Sequence, residues 1–559
     1  MLTNVFPTPS TRKSRPDPFY FRWGFTGVAL CIISGFLLAA TFPPFNQTWL
    51  AWFALVPLLL ALRWSEDVRD WPHFSGWLTG MVFFTSTLWW IGNVTIPGML
   101  VLMVYLSLYP AAWAFCVRHC ALQGPAWESQ WAILKNAAGA ACVWVTLEWL
   151  RGWLLTGFGW NNIGLAGRGN WLVMQLAALG GVNLIAWLIV FVNCLIAQGI
   201  EQLRAVLFRE EKLRFFYEFS FALLTVVLAF VGGHFTVQYY SPKGEGRPLI
   251  FACLQGNVPR DNGTGETVMP AIKPGEPVTT PQPLNLSETD IYQRYMGMAA
   301  EAGTYGPDII IWPECTSNMD LSLAAAAITA RSRAWQIVGT MVMRPKLHNA
   351  AMWLNPHDTS FQLYYKANLV PFGEFVPFGD WLPALRDFIP INTDFVAGTG
   401  PALFELVRPN RAGNGIEKIR LTPLICFEDT LPEFVNKAAR LNPDLLVNIT
   451  NDNWFDGTPG SEMHLVNSIF RTVENNMPMI RCANSGISAF IDRKGKVVFP
   501  ADSKGRLAAP LTQGVFGGTA HLHPPQITLY RRFGEWIVLI SAVVAFMLMF
   551  HARLYPYKQ

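Results

Sequence analysis

Apolar positions run in long stretches from about Gly24 to Tyr239, shrink to short runs between about Tyr240 and Glu535, and return once between Trp536 and Phe550. A bilayer-spanning helix needs ~20 mostly apolar residues. On that ruler spans are predicted at 24–42, 48–62, 76–96, 98–118, 131–150, 171–199, 219–239 and 534–552. The second is short, and fits either a re-entrant segment or part of a longer tilted helix. The expected architecture is an α-helical transmembrane bundle of about eight spans joined to one polar domain. Its parts are an N-terminal membrane domain over 1–240, a polar domain over 248–523 and a C-terminal transmembrane helix over 534–552.

In the polar stretch the pattern changes. Short apolar runs such as "LIFACLQGNV", "DIIIWPE", "AWQIVGTMVM", "IRLTPLICFE" and "DLLVNIT" read as buried strands. They alternate with amphipathic segments such as "TDIYQRYMGMAAEAG" and "SEMHLVNSIFRTVENN" that read as helices. Strands alternating with helices predict an α/β layered fold. Two segments, "NAAMWLNPHDTSFQLYYK" and "GISAFIDRKGKVVFP", each pair apolar runs across a short polar turn, so antiparallel hairpins are expected within the sheet. The Pro-, Gly- and Thr-rich insert near 258–288 reads as a mobile loop.

Composition sharpens this picture. With 52% hydrophobic and only 14% charged residues among 559, the composition argues against a wholly soluble protein. A net charge of +4 without a basic stripe argues against nucleic acid. The 9 cysteines include no C-x-x-C pair and no His spacing that would suggest zinc, so no disulfide framework, metal or cofactor is expected. No small-residue cleavage site follows the first apolar run, which reads as an uncleaved anchor. Arg12, Lys13, Arg15 and Arg22 precede the first predicted span, and Arg63, Arg69, Arg118, Arg204, Arg209, Lys212 and Arg214 sit in alternate turns. Positive charge stays on the cytoplasmic side, which predicts both termini there and the polar domain opposite.

Three predicted strands end in a reactive side chain: Glu314 after "IIIWP", Lys366 after "FQLYY" and Cys426 after "LTPLI". Sites in layered α/β folds assemble at strand ends. A carboxylate, a cation and a thiol together suit nucleophilic acyl transfer, because a thiol needs a base or a neighbouring cation to act as thiolate. Glu374 and Glu428 remain as orienting or proton-relaying carboxylates, whereas Asp429 reads as the start of the next helix. Each of the three alone has a plainer reading as core or solvated charge; the shared placement carries the inference. Cys315 competes as nucleophile, but in an extended segment it should face away from a site that Glu314 faces. Cys253 and Cys482 read as structural, and His464 as a packed histidine in preference to a catalytic base. The aromatic loop "VPFGEFVPFGDW" reads as lipid contact or lid.

The motifs "IIIWPE", "YYKANLVPFGEFVPF", "LICFED", "NITNDNWF" and "MIRCANSGISAFIDRKGKV" resemble those of the carbon-nitrogen hydrolase (nitrilase) superfamily. With seven preceding spans and one following, the whole resembles the apolipoprotein N-acyltransferase family. That resemblance implies an α-β-β-α sandwich with Glu314 as general base, Lys366 as oxyanion-stabilising cation and Cys426 as acyl-accepting nucleophile. Glu374 and Glu428 become supporting residues. It further implies a monomer in the bacterial inner membrane, its catalytic domain periplasmic. The acyl chain would pass from a phospholipid, usually phosphatidylethanolamine, through a thioester to the N-terminal amine of a diacylglyceryl-cysteine apolipoprotein. Phe427 departs from the family, where tyrosine often follows the cysteine. A membrane-tethered amidase using water as acceptor is the alternative enzyme, and a degenerate, non-enzymatic scaffold the alternative outside catalysis.

Overall fold

The computed structural model describes residues 24–64, 71–120, 129–208, 216–259, 288–316 and 321–554, apart from 331, 344–345, 358–359, 382, 384–385, 387–393 and 412–414. The basic N-terminal segment, the turns bearing Arg69, Arg209, Lys212 and Arg214, the tail and nearly all of the insert at 258–288 lie outside the described residues.

The N-terminal half is helical: α1 (Gly24–Ala40), α2 (Val56–Trp64), α3 (Pro72–Leu88), α4 (Ile96–His119), α5 (Gln130–Arg151), α6 (Trp171–Gln175), α7 (Ala177–Phe208) and α8 (Tyr217–Tyr239). Of the described helices, three (α4, α7 and α8) are both long and apolar enough to cross a bilayer. The first and last predicted spans, α1 and α14 (Trp536–Leu554, which follows the short α13, Leu529–Phe533), are shorter apolar helices, and the second is a 3-10 turn followed by α2. The predicted span 171–199 is broken near its start, since Gly180 and Gly181 leave helical geometry. Gly181 has φ +70, and a Cβ there would lie 2.6 Å from the Tyr530 ring, so only glycine allows that ring to pack.

The polar segment builds two sheets of six strands each. The first comprises β1 (Arg247–Gln255), β2 (Ile309–Ile311), β3 (Trp335–Val342), β4 (His348–Leu354), β5 (Phe361–Tyr365) and β12 (Gly514–Leu522), in the order β12-β1-β2-β3-β4-β5. The second comprises β6 (Phe404–Pro409), β7 (Ile416–Ile425), β8 (Leu445–Thr450), β9 (Met479–Ala483), β10 (Ala489–Ile491) and β11 (Val497–Val498), in the order β11-β10-β9-β8-β7-β6. Parallel pairs occupy the centre of each sheet and antiparallel pairs the flanks, among them both expected hairpins, β4–β5 and β10–β11.

The sheets face one another. Leu249, Phe251, Cys253, Ile309 and Ile311 share one core with Leu421, Leu445, Val447, Met479 and Cys482. Outside the first sheet, α9 (Glu288–Thr304) and α10 (Leu321–Thr329) bury Tyr295, Met296, Ala299, Ala324 and Ile328 against Leu254, Ile310, Trp312 and Val338. Outside the second lie α11 (Pro432–Arg440) and α12 (Gly460–Asn475). The layering is thus helix, sheet, sheet, helix, as a nitrilase-like fold requires. Helix α12 is buried on more than one side, and Met463, Val466, Phe470 and Val473 join the apolar core of the helical half. Glu474 accepts a hydrogen bond from the Val182 amide at 2.9 Å, so the two halves are joined by polar as well as apolar contact.

Candidate active site

Strands β2, β5, β7 and β8 run so that their C-terminal ends meet on one edge of the sandwich. Glu314 follows β2, and its approach depends on Gly339 in β3. A Cβ at 339 would lie 2.0 Å from the Pro313 carbonyl oxygen and 2.7 Å from Glu314 Cα. Without a side chain there, the "WPE" segment can lie flat on β3, held by Trp312 N donating to Ile337 O and Thr316 N to Gly339 O, both at 2.9 Å.

Lys366 follows β5 and is 1% exposed. Its Nζ lies 3.1 Å from Glu314 Oε1 and 2.9 Å from Glu374 Oε1. Asn349 Nδ2 donates to the same two oxygens at 2.7 and 2.9 Å, so an ammonium and an amide both bridge the carboxylates. Burial alone would drive the Lys366 proton off, but Glu314 and Glu374 outweigh it and hold the ammonium well above its ordinary pKa. The remaining oxygens are also fixed: Glu314 Oε2 accepts from the Asn451 amide at 3.0 Å and Glu374 Oε2 from the Val370 amide at 2.7 Å.

Cys426 follows β7 with φ +51, a left-handed conformation that costs energy in a non-glycine residue and turns the chain off the strand, its side chain half-buried. Two neighbours hold that turn. Asn448 Nδ2 donates to the Cys426 carbonyl at 3.0 Å. Glu428, fully buried, accepts from the amides of Ile425 (2.8 Å), Ala367 (2.7 Å) and Asn368 (3.1 Å) and from the Tyr364 hydroxyl (2.7 Å). One carboxylate therefore staples the Cys426 turn to the end of the strand that carries Lys366. Burial lifts Glu428 to about 7 against those donors. The Cys426 thiol is pushed well up, by burial first and by Glu314 second, with Lys366 opposing, so the resting group is a thiol.

Two expectations are corrected. Asp429 does not start a helix; it is wholly buried and accepts from Arg481 Nη1 and His464 Nε2, each at 2.8 Å. Asp452 closes the set, 2.8 Å from Arg481 Nη2 and 3.0 Å from His464 Nδ1. His464 is thus packed between two carboxylates behind the Cys426 turn. Cys315 has φ +56, which breaks the extended alternation, and its thiol still senses Glu374 and Lys366; burial and Glu314 push it well up. Cys253 and Cys482 are buried between the sheets.

Sequence reasoning missed Asn349, Tyr364, Asn448, Asp452 and Arg481. For the four on β4, β5, β8 and β9, a polar residue inside an otherwise apolar strand was the available signal, since each needs a buried partner, whereas Asp452 lies in the 3-10 turn after β8. Beside the site opens a cavity of about 690 Å³. Its wall takes Ala367, Asn368 and Phe427 from the strand ends, Trp149, Trp153 and Asn183 from the helical half, and Pro371 and Phe375 from the aromatic loop, in which Phe372, Phe378 and Trp381 are exposed.

Residues 34–195 match the family described as apolipoprotein N-acyltransferase N-terminal domain, and residues 278–509 match carbon-nitrogen hydrolase. An apolipoprotein N-acyltransferase of Geobacter metallireducens is 29% identical over 555 residues, covering 94% of this chain and 95% of that protein. One from Rhizobium rhizogenes is 28% identical, covering 86% and 88%. Along nearly its whole length the chain is similar to apolipoprotein N-acyltransferases. On that likeness it is an acyltransferase, with a carbon-nitrogen hydrolase domain attached to apolar helices. Among solved structures, an amidase from Nesterenkonia sp. is similar at 16% identity and TM-score 0.33, covering 53% of this chain and 97% of the amidase.

Proposed function

We propose that the enzyme moves an acyl chain from a phospholipid, phosphatidylethanolamine among the donors, to the N-terminal amine of a diacylglyceryl-cysteine apolipoprotein. The chain is carried as a thioester on Cys426. The observation that carries this reading is the buried Lys366 held between Glu314 and Glu374, at a strand edge where Ala367 and Phe427, the residues after Lys366 and Cys426, line a cavity shared with the helical half.

Glu314 takes the thiol proton as sulfur attacks the ester carbonyl, since a thiol pushed up in pKa must lose its proton during attack. Lys366 faces the oxyanion that forms, where a fixed cation in a water-poor site is most effective. Glu314 then returns the proton to the departing lysophospholipid oxygen, leaving the thioester. In the second half the acceptor amine attacks the thioester, Glu314 takes the amine's proton, and the Cys426 thiolate leaves and is reprotonated. Glu374 positions Lys366, and Glu428 positions the Cys426 turn.

Both substrates are lipids whose chains leave a bilayer at high cost, about 0.8 kcal/mol per CH₂, which favours a site opening toward membrane helices. Eight spans in the bacterial inner membrane, a periplasmic catalytic domain, cytoplasmic termini and a monomer complete the reading. The cationic Arg63, Arg118 and Arg204 near helix ends support that orientation.

A phospholipid with a tagged acyl chain tests it. The tag should map to Cys426, be absent from Cys426→Ser, and move to an added diacylglyceryl-cysteine peptide amine. A tag on Cys315, or one that persists in Cys426→Ser, overturns the assignment; release of the tag to water without transfer favours an amidase.

A further inference from the structure

The cavity beside Phe427 has an acidic arm that the acyl-transfer steps leave unused. Glu148 on α5, Glu433 on α11 and Glu535 just before α14 all line it. Glu148 is 8% exposed. Its Oε1 accepts from the Ile163 amide at 3.0 Å and faces Arg151 Nη2 at 3.7 Å, while its buried Oε2 has no hydrogen-bond partner. Glu433 Oε1 accepts from Trp149 Nε1 at 3.0 Å. Glu535 accepts from Asn183 Nδ2 at 2.8 Å and from the Tyr530 hydroxyl at 2.6 Å. Among the described residues Glu433 and Glu535 are held by neutral donors alone.

The other charges on the wall are mostly committed elsewhere. Arg471 lies 2.6 Å from Glu474 and Asp394 lies 2.8 Å from Arg386, while Lys437 is exposed one turn beyond Glu433. The arm therefore presents carboxylates with spare acceptor capacity, one of them a buried oxygen lacking any donor, which is costly unless a ligand or water supplies one. Beside them the indoles of Trp149 and Trp153 pack edge to face, with centroids 5.2 Å apart. Carboxylates with aromatic faces suit a cation that also donates hydrogen bonds.

We propose that Glu148, Glu433 and Glu535 form a subsite for a primary ammonium group borne on a lipid. That the ligand is a lipid rests on the acyl-transfer reading above. Two lipids of that reading carry such a group, the ethanolamine head of the donor and the free α-amine of the acceptor, and the shared chemistry is what the subsite recognises.

The test is binding without turnover. Full-length Cys426→Ala protein in detergent is offered equal mixtures of phosphatidylethanolamine and phosphatidylglycerol with identical chains. In parallel it is offered a diacylglyceryl-cysteine peptide with a free or an N-acetylated terminus, and native mass spectrometry reads the retained species. The ammonium-bearing member of at least one pair should be preferred about tenfold. Adding Glu433→Gln and Glu535→Gln should bring that preference to near parity. Glu148→Gln, a buried change, is scored separately by whether the protein still migrates as a monodisperse species. Loss of preference in the phospholipid pair assigns the donor head group; loss in the peptide pair assigns the acceptor amine. No preference in the Cys426→Ala protein, or one that the double substitution leaves intact, overturns the subsite. Because this protein cannot be acylated, a failure of the tagged-acyl assay with the preference intact rejects the thioester reading alone.

Discussion

His464 is the most exposed point of the reasoning to pH. Its imidazole is 1% accessible and lies between Asp429 at 2.8 Å and Asp452 at 3.0 Å, with Arg481 bridging the same carboxylates and the Trp160 ring 5.6 Å away. Burial and Arg481 push its pKa down, but the two aspartates overcome both and raise it to about 9. A raised folded-state pKa contributes stability that is full below the unfolded value, ~6.5 for histidine, and is lost as pH rises through about 9. At about 1.4 kcal/mol per unit, that window corresponds to roughly 3 kcal/mol, or about 6–12 °C in thermal midpoint for a folding unit of ~200 residues. Asp429 and Asp452 have the opposite sign: both are held below the ordinary carboxylate range despite burial, so their contribution is lost as pH falls below about 4. Thermal unfolding in detergent at a fixed scan rate, followed by tryptophan fluorescence between pH 6 and 10, measures the alkaline limb, with His464→Asn as control. The wild type should lose stability across the window and His464→Asn should not. A flat wild-type profile, or an unchanged slope in His464→Asn, refutes a protonated His464 behind the Cys426 turn.

Asp429→Asn leaves Arg481 and His464 with one carboxylate between them, and should cost about 3–5 kcal/mol by thermal unfolding, as breaking a buried pair does. Tyr364→Phe removes the hydroxyl on Glu428 while three backbone donors remain; about 1–2 kcal/mol is expected, with Cys426 acylation slowed and still detectable in the tagged-lipid assay. Gly339→Ala places a methyl against the Pro313 carbonyl, so acylation should fall at least tenfold and stability by about 1–3 kcal/mol; full activity would mean that Glu314 does not depend on that close approach. Asn349→Leu strips the amide that bridges Glu314 and Glu374, and should shift the pH profile of acylation more than it shifts unfolding.

Apolar periodicity was enough to separate a helical half from an alternating half and to locate strands β1, β2, β3, β7 and β8, because run length and alternation report burial directly. It overlooked β6, β9 and β12. The glycines of "GVFGGTAHL" weaken the strand signal, although all nine residues pair with β1. Run length also counted more apolar segments than the structure has long, unbroken apolar helices, because 3-10 turns and the Gly180–Gly181 break are set by packing against other elements.

What the sequence by itself determined was the inventory: apolar segments of membrane length, and Glu314, Lys366 and Cys426 each closing a strand. Which groups meet them was decided by tertiary structure. Tyr364 reaches Glu428 across 64 positions and Arg481 reaches Asp429 across 52, separations at which neither period nor neighbour carries information. The left-handed turns at Cys315 and Cys426 likewise belong to the fold, since no local preference favours that conformation in cysteine and only surrounding bonds sustain it. Buried polar side chains must find partners wherever the chain returns. The sequence names the groups that need one, and the sandwich, closing its strand ends against the helical half, supplies it.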